Sequence, residues 1–225
     1  MKQPIKLFYF LIFLFITTGC SNHHALSTSV IEIVDYDYRF STQTLLNFTK
    51  ENNIDKSLIY QWQNHWVIYC STRDAGDIKV KLENKYPKLT IRLYENPFYN
   101  FNRQKYSHEK PAALWDNIIM TSNMVADSNK QNEYLQYHRT QFEKWPEISK
   151  GFSNASFQQV LVFRHGRQLM LIISIPKGES LDKLNPKTTE NNPRVVEWNS
   201  IMSNYQVGID DAPKGVTWVR FDQLK

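Results

Sequence analysis

One order of structural signals runs twice along this chain of 225 residues. From Val30, Ile31 and Ile33 fall in phase toward Tyr36, the alternation of a half-buried strand. Thr42 to Asn53 reads as a helix, with Leu45, Leu46 and Thr49 on one side and Asn52-Asn53 as stop signals. Ser57 to Trp62 and His65 to Cys70 are strand-like runs joined by Gln63-Asn64, which is hairpin spacing. Ala75 to Lys85 is helical, with Ile78 and Leu82 four apart, and Pro87 ends it. Leu89, Ile91 and Leu93 alternate, so Lys88 to Tyr94 is a strand. Glu95 to Pro111, with Asn-Pro and mixed charge, reads as a connection. The order then repeats. Asn117 to Val125 is a strand, and Asp127-Ser128 offers an N-cap, Ser128 with Gln131 fitting a capping box. A helix follows to Lys144 and restarts at Trp145-Pro146. Phe157 to Phe163 and Gln168 to Ile175 are strands around a tight turn at Arg164-His165-Gly166-Arg167. Asn192-Pro193 opens a helix through Tyr205, and Val216 to Phe221 closes the half as a strand.

Each half therefore spells β-α-β-β-α-β, the split unit of ferredoxin-like folds. The sequence predicts an α+β fold of two tandem ferredoxin-like units, over residues 30–110 and 111–225. Each unit has a four-stranded antiparallel sheet with helices on one face, so its other face needs a cover. Two such sheets facing each other make a dimeric α/β barrel, here within one chain. A monomer with an internal pseudo-dimer and a homodimer both satisfy that requirement.

The N-terminus points to export. Lys2 and Lys6 precede the apolar run Leu7 to Ile16, and Thr17-Thr18-Gly19-Cys20 follows. A positive segment, a short apolar run and small residues describe a signal peptide over 1–19. Ten apolar residues are too few to span a bilayer, which takes about 20. Cys20 directly after Gly19 resembles a lipobox, although Thr17 stands where such a motif usually has Leu. Cys20 is then the lipidated residue, residues 20–29 are a polar tether, and the chain is a cell-envelope lipoprotein held at a membrane. The other cysteine, Cys70, ends an apolar strand and reads as a buried apolar side chain, because nothing near it would lower a thiol pKa. The formal net charge is +5; losing Lys2 and Lys6 leaves +3, spread among acids, which argues against nucleic acid as a partner.

Gly-rich phosphate loops, zinc-spaced Cys/His sets and Gly-x-Ser-x-Gly elbows are all missing from the sequence. Two helical stripes stand out instead. Tyr134, His138, Gln141 and Trp145 are spaced four, three and four, which places a phenol, an imidazole, an amide and an indole on one face. Such a stripe lines a cleft for a polyhydroxylated ligand, or it snorkels at a rim. Val195, Trp198, Met202 and Tyr205 share a second face, where Trp198 is either core or a stacking platform for a sugar ring.

Tyr-x-x-x-His, then Trp-Pro-Glu, then a hairpin, then a helix with Trp and a Met four residues on, resembles the L-rhamnose mutarotase family over roughly residues 114 to 224. The resemblance implies a dimeric α/β-barrel domain that interconverts the α and β anomers of a sugar, such as L-rhamnose or L-fucose, with no cofactor and no metal. It carries the family's general acid/base to His138 and its partner tyrosine to Tyr134. The family's two adjacent tryptophans fall on Trp198 and Asn199, the second a departure. The family's binding Tyr on the second strand meets Gln158 or Gln159 here. Its Trp-Pro-Glu begins four residues after the His, against seven here; aligned on Trp145, Gln141 takes the His place and Tyr137 the Tyr place. Three residues are nearly one helical turn, so His138 can face the same pocket one turn away. The resemblance thus implies a monosaccharide ligand, with Tyr134, Trp198, Asn199 and Gln141 binding it. The alternatives are a non-catalytic carbohydrate-binding surface lipoprotein and a pseudo-dimer whose cleft its own side chains fill.

Overall fold

Along β1 (Thr28–Val34), Val30 and Glu32 turn to one side of the sheet, and Ile31 and Ile33 to the other. That period of two fixes which layer each side chain enters. In the computed structural model, which describes residues 28–107 and 109–224, the first half continues through α1 (Thr42–Glu51), β2 (Ile59–Trp62), β3 (His65–Ser71), α2 (Thr72–Lys85) and β4 (Thr90–Tyr94). Next come β5 (Tyr99–Asn102) and the single turn α3 (Arg103–Tyr106). The second half is β6 (Trp115–Met124), α4 (Ser128–Lys144), α5 (Pro146–Asn154), β7 (Gln159–His165), β8 (Gln168–Pro176), α6 (Leu181–Leu184), α7 (Pro193–Ser203), β9 (Gln206–Val207) and β10 (Val219–Gln223).

The result is a mixed α+β fold around a curled, wholly antiparallel sheet of order β4-β1-β3-β2-β10-β6-β8-β7-β5, with β9 beside β6. Both halves place their four main strands in the order fourth, first, third, second: β4-β1-β3-β2 and β10-β6-β8-β7. They join where β10 pairs with β2, Asp222 opposite Gln61 and Gln223 opposite Tyr60.

Three buried layers follow from the alternation. Ile31, Ile33 and Ile68 pack under Leu45 and Phe48 of α1 and Ile78 and Leu82 of α2. Ile118, Val160, Val162 and Ile173 pack under Tyr134, Ile148, Val195 and Trp198 of the second half's helices. The third layer draws on both halves: Val30, Val67, Tyr69 and Tyr94 meet Ile119, Phe163, Met170 and Ile172. Each such side chain contributes roughly 1.5–3 kcal/mol on burial, so the inner faces hold the two halves together.

A buried carboxylate ties the same seam. Glu32 is fully buried and accepts from His65 Nδ1 (3.1 Å), Arg92 (3.1 Å), the Tyr94 hydroxyl (3.0 Å) and, from β8 of the other half, Gln168 Nε2 (3.0 Å). Burial alone would raise its pKa; the bond from His65, the charge of Arg92 and the Tyr94 hydroxyl outweigh that and lower it. His65 Nε2 also lies 3.1 Å from the Asp211 carboxylate, on the loop between β9 and β10.

Several local expectations need correction. The α4 N-cap is Asp127, whose carboxylate accepts from the Asn129 and Lys130 amides, while Gln131 donates to the Val125 and Ala126 carbonyls; the expected Ser128 capping box does not form. Residues 95–111 are more than a connection, because β5 pairs with β7, Tyr99 opposite Val162. The β7–β8 turn narrows to Gly166-Arg167, with Gly166 at φ +59°. The last helix stops at Ser203, which frees Gln206 and Val207 to pair as β9, and the closing strand starts at Val219. Cys70 is buried as expected, and burial pushes its thiol up to about 11. The signal peptide and the lipidation of Cys20 fall in residues 1–27, outside the described residues. Among the described residues no helix is long and apolar enough to cross a membrane, and no group of three or more His, Cys, Asp or Glu side chains is arranged to hold a metal ion.

Candidate active site

The carboxylate of Asp127 starts α4 by taking the first free amides, the ordinary role of an N-cap. From there the 3.6-residue turn sends Tyr134, His138 and Gln141 inward; they are 1%, 8% and 0% exposed. Trp145, at the junction of α4 and α5, is 8% exposed and lies under the guanidinium of Arg194, 3.7 Å from the ring centroid. On α7 the expected face of Val195, Trp198 and Met202 is buried, and Tyr205 continues it. Pro193 begins this helix, but Asn192 does not cap it; its amide donates to the Glu147 carbonyl and ties α7 to α5.

The two stripes meet over the outer face of the second half's strands and leave a cavity of about 320 Å³. Its floor is Val160 and Val162 of β7 with Leu171 and Ile173 of β8. Tyr134, His138, Trp198 and Met202 form walls, and the exposed Asn185 and Asn199 line it from the solvent side. An apolar cavity of a few hundred Å³ with a few convergent polar groups is the usual form of a small-molecule site.

The imidazole of His138 sits among aromatic rings. Its centroid is 4.3 Å from Tyr134, 5.3 Å from Tyr99, 5.4 Å from Trp198 and 5.6 Å from Phe98. Nδ1 lies 3.0 Å from the backbone carbonyl of Tyr134, one turn back. A carbonyl only accepts, so Nδ1 carries the hydrogen and Nε2 keeps its lone pair. Among the described residues no group bonds Nε2. Burial in this shell pulls the imidazole down to about 4, partly opposed by the carbonyl of Tyr134. The ring is therefore neutral and basic at Nε2 through the physiological range. The Tyr134 phenol is pushed well up by burial, only partly offset by a bond from Gln206, and stays protonated.

Tyr134, His138, Trp198 and Asn199 thus come together at one cavity. Gln141 does not. Its Oε1 accepts from the Tyr99 hydroxyl at 2.7 Å, and its Nε2 donates to the Trp145 carbonyl at 2.7 Å. Fully buried and bonded at both ends, it braces α4 against β5 and the α4–α5 junction, so the assignment of Gln141 to sugar binding is corrected. Gln158 is likewise engaged, accepting from the Ala112 amide and donating to the Ser156 carbonyl. The lining residues not foreseen include Tyr99, Gln206 and Trp218. Tyr99 and Gln206 come from β5 and β9, segments too short to show periodicity, and Trp218 from the expected closing strand, one residue before β10.

The fold is α+β, and between the sheet and the second half's helices it holds a cavity lined by a neutral imidazole, a phenol and an indole. The model of the L-rhamnose mutarotase family matches residues 119–224, so the C-terminal half of the chain falls in that family of sugar mutarotases. An L-fucose mutarotase of Xanthomonas campestris pv. campestris is 25% identical over 87 residues, which span 38% of this chain and 67% of that protein. Among solved structures, the heme-degrading enzyme LmHde of Listeria monocytogenes superposes with a TM-score of 0.42 at 9% identity, covering 88% of this chain and 99% of that one. A putative monooxygenase of Fusobacterium nucleatum subsp. nucleatum gives 0.42 at 6% identity, covering 87% and 91%.

Proposed function

We propose that the second half is an aldose mutarotase acting on a 6-deoxy sugar such as L-rhamnose or L-fucose, with His138 as its acid/base. The observation that carries this reading is that His138 and Trp198, 60 positions apart in the sequence, open onto one cavity with their rings 5.4 Å apart. His138 Nε2 takes the proton of the anomeric hydroxyl. The O–H electron pair becomes the C1=O1 bond as C1–O5 breaks, and O5 takes a proton from water in the cavity. The open aldehyde turns about C1–C2 and recloses on its other face: O5 attacks C1 and gives its proton back to the hydroxide left from that water, while the imidazolium returns its proton to O1. Tyr134 bonds a sugar hydroxyl, Asn199 a hydroxyl nearer solvent, and Trp198 covers the C–H face. The valine, leucine and isoleucine floor suits the C5 methyl of a 6-deoxy sugar. No step calls on a metal or a cofactor.

The architecture proposed with it is two tandem ferredoxin-like units closed on each other as a single-chain counterpart of a dimeric barrel. Its supports are the equal strand orders and the apolar layer shared by both inner faces. Location belongs to the proposal as well: export, lipidation at Cys20 and anchoring at the cell envelope, resting on the sequence of residues 1–20.

A second reading, a carbohydrate-binding lipoprotein without chemistry, is favoured by one observation. An imidazole held near 4 is a weaker base than one near neutrality. Both readings are tested on one sample: tryptophan fluorescence during titration with L-fucose and L-rhamnose, then anomer exchange by saturation-transfer NMR. Binding with accelerated exchange supports the mutarotase; binding without it selects the second reading.

A further inference from the structure

We infer that Gln206, clamped by Trp218, is a positioning residue that aims the Tyr134 hydroxyl at the sugar as a hydrogen-bond donor. The inference rests on the mutarotase reading of the cavity and adds to it Gln206 of β9 and the residue before β10.

The argument is one of donors and acceptors. Gln206 lies between two ring groups of the cavity lining: Trp218 Nε1 is 3.1 Å from its Oε1, and its Nε2 is 3.1 Å from the Tyr134 hydroxyl oxygen. An indole N–H donates and cannot accept. Whatever faces Trp218 must therefore be the carbonyl end of the amide, and this settles a choice that shape alone leaves open, since the two ends are nearly isosteric. The NH₂ end is then forced onto Tyr134. It donates into a lone pair of the phenol oxygen, so the phenol hydrogen must turn elsewhere. Among the described residues no acceptor takes that hydrogen, and the ring lines the cavity. The other phenol of the lining behaves differently: Tyr99 gives its hydrogen to Gln141 Oε1 at 2.7 Å. Of the two, Tyr134 is the one whose O–H is left for a ligand.

The chain of bonds also explains why β9 exists. Two residues pairing with Asn123 and Met124 at the end of β6 hold little by themselves, yet they fix the backbone from which Gln206 reaches over Tyr134. Gln206 and Trp218 are half-buried, so the clamp is set at the cavity's edge and not deep in the core.

Gln206→Glu in the full chain is the decisive variant, because it keeps the shape and reverses the bond. At pH 8 the introduced carboxylate still accepts from Trp218, but its other oxygen can only accept, so it captures the phenol hydrogen. Once protonated, that oxygen can donate to the phenol as the amide does. Anomer exchange on L-fucose should therefore fall about tenfold or more in kcat/KM at pH 8. It should recover as pH is lowered toward 5.5, while the wild type stays flat over that range. Trp218→Phe, which releases the amide without adding charge, should lose several-fold with an unchanged melting temperature. Wild-type rates in Gln206→Glu at pH 8, or a loss independent of pH, would overturn the inference; if Gln206→Glu does not fold, an unimpaired Trp218→Phe does the same. If the wild type binds L-fucose without exchanging it, the mutarotase reading fails, and the inference is read from affinity. Gln206→Glu must then bind more weakly at pH 8 and regain affinity on acidification, and equal affinity at both pH values overturns it. Binding of neither L-fucose nor L-rhamnose by the wild type overturns both.

Discussion

His138 is neutral because of its neighbours. Four aromatic rings remove its water, and burial holds it near 4, against an ordinary value of 6.5. Two consequences follow for this residue. Catalysis by its free Nε2 needs the unprotonated ring, so kcat/KM for anomer exchange should be level from about pH 6 to 8 and fall as pH drops through about 4. A fall centred near 6.5 would contradict the burial argument. The sign for stability is the same. Between 6.5 and about 4 the unfolded chain binds a proton that the folded chain refuses, so the fold weakens as pH falls through that window, by up to about 3 kcal/mol in total. His138→Gln should flatten the pH dependence of urea unfolding by about one proton between pH 6.5 and 4.5. The inward placement of positions 134, 138 and 198 was legible in the sequence, since helical spacing put each on a face shared with apolar or aromatic neighbours. The opposite fate of Gln141 was not, because spacing says which way a side chain points and not who meets it there. Its partner, the Tyr99 hydroxyl, arrives from a strand 42 residues away.

Among the elements, the long ones were readable and the short ones were not. A seven-residue strand such as β1 or a 17-residue helix such as α4 repeats its period often enough to declare itself. β5 has four residues and β9 two; β5 forms because the edge of β7 stands beside it, and β9 because the end of β6 runs on past its pairing with β10, both properties of the partner strand. Packing between elements carries its own prediction. Gly151 of α5 faces the turn at residues 185–188, and an added Cβ would sit 2.6 Å from the Thr188 carbonyl oxygen and 3.1 Å from Val195. Gly151→Ala should destabilise the fold by about 1–3 kcal/mol. It should also weaken sugar binding by shifting the turn that carries Asn185. A variant as stable as the wild type would show that α5 can move away at no cost.

For the whole molecule the decisive feature is the seam. Val30 and its neighbours alone would leave one sheet face bare; the second half covers it, and Glu32 adds four bonds across and within the junction. The repeated order of elements made a covered inner sheet face foreseeable, whereas the Glu32 cluster was invisible because its members lie on β1, β3, β4 and β8. Glu32→Ala should cost about 3–5 kcal/mol, since it takes the acceptor from Tyr94 and the counter-charge from Arg92 in a buried site; a loss below about 1 kcal/mol in urea unfolding would make the cluster incidental. A chain that covers its own sheet needs no second copy, so light scattering should give the mass of a monomer; a stable dimer would contradict the single-chain barrel. Cys20→Ser should move the protein from the membrane to the soluble fraction, and no change in partition would rule out the lipid anchor. The central claim is a sugar held between the His138 imidazole and the Trp198 indole and turned over there. Saturation-transfer NMR of L-fucose at pH 7 with wild type and His138→Gln side by side measures it most directly. The account predicts exchange accelerated by the wild type and reduced at least a hundredfold in a folded His138→Gln that still quenches tryptophan fluorescence on binding; equal exchange in the two proteins would contradict it.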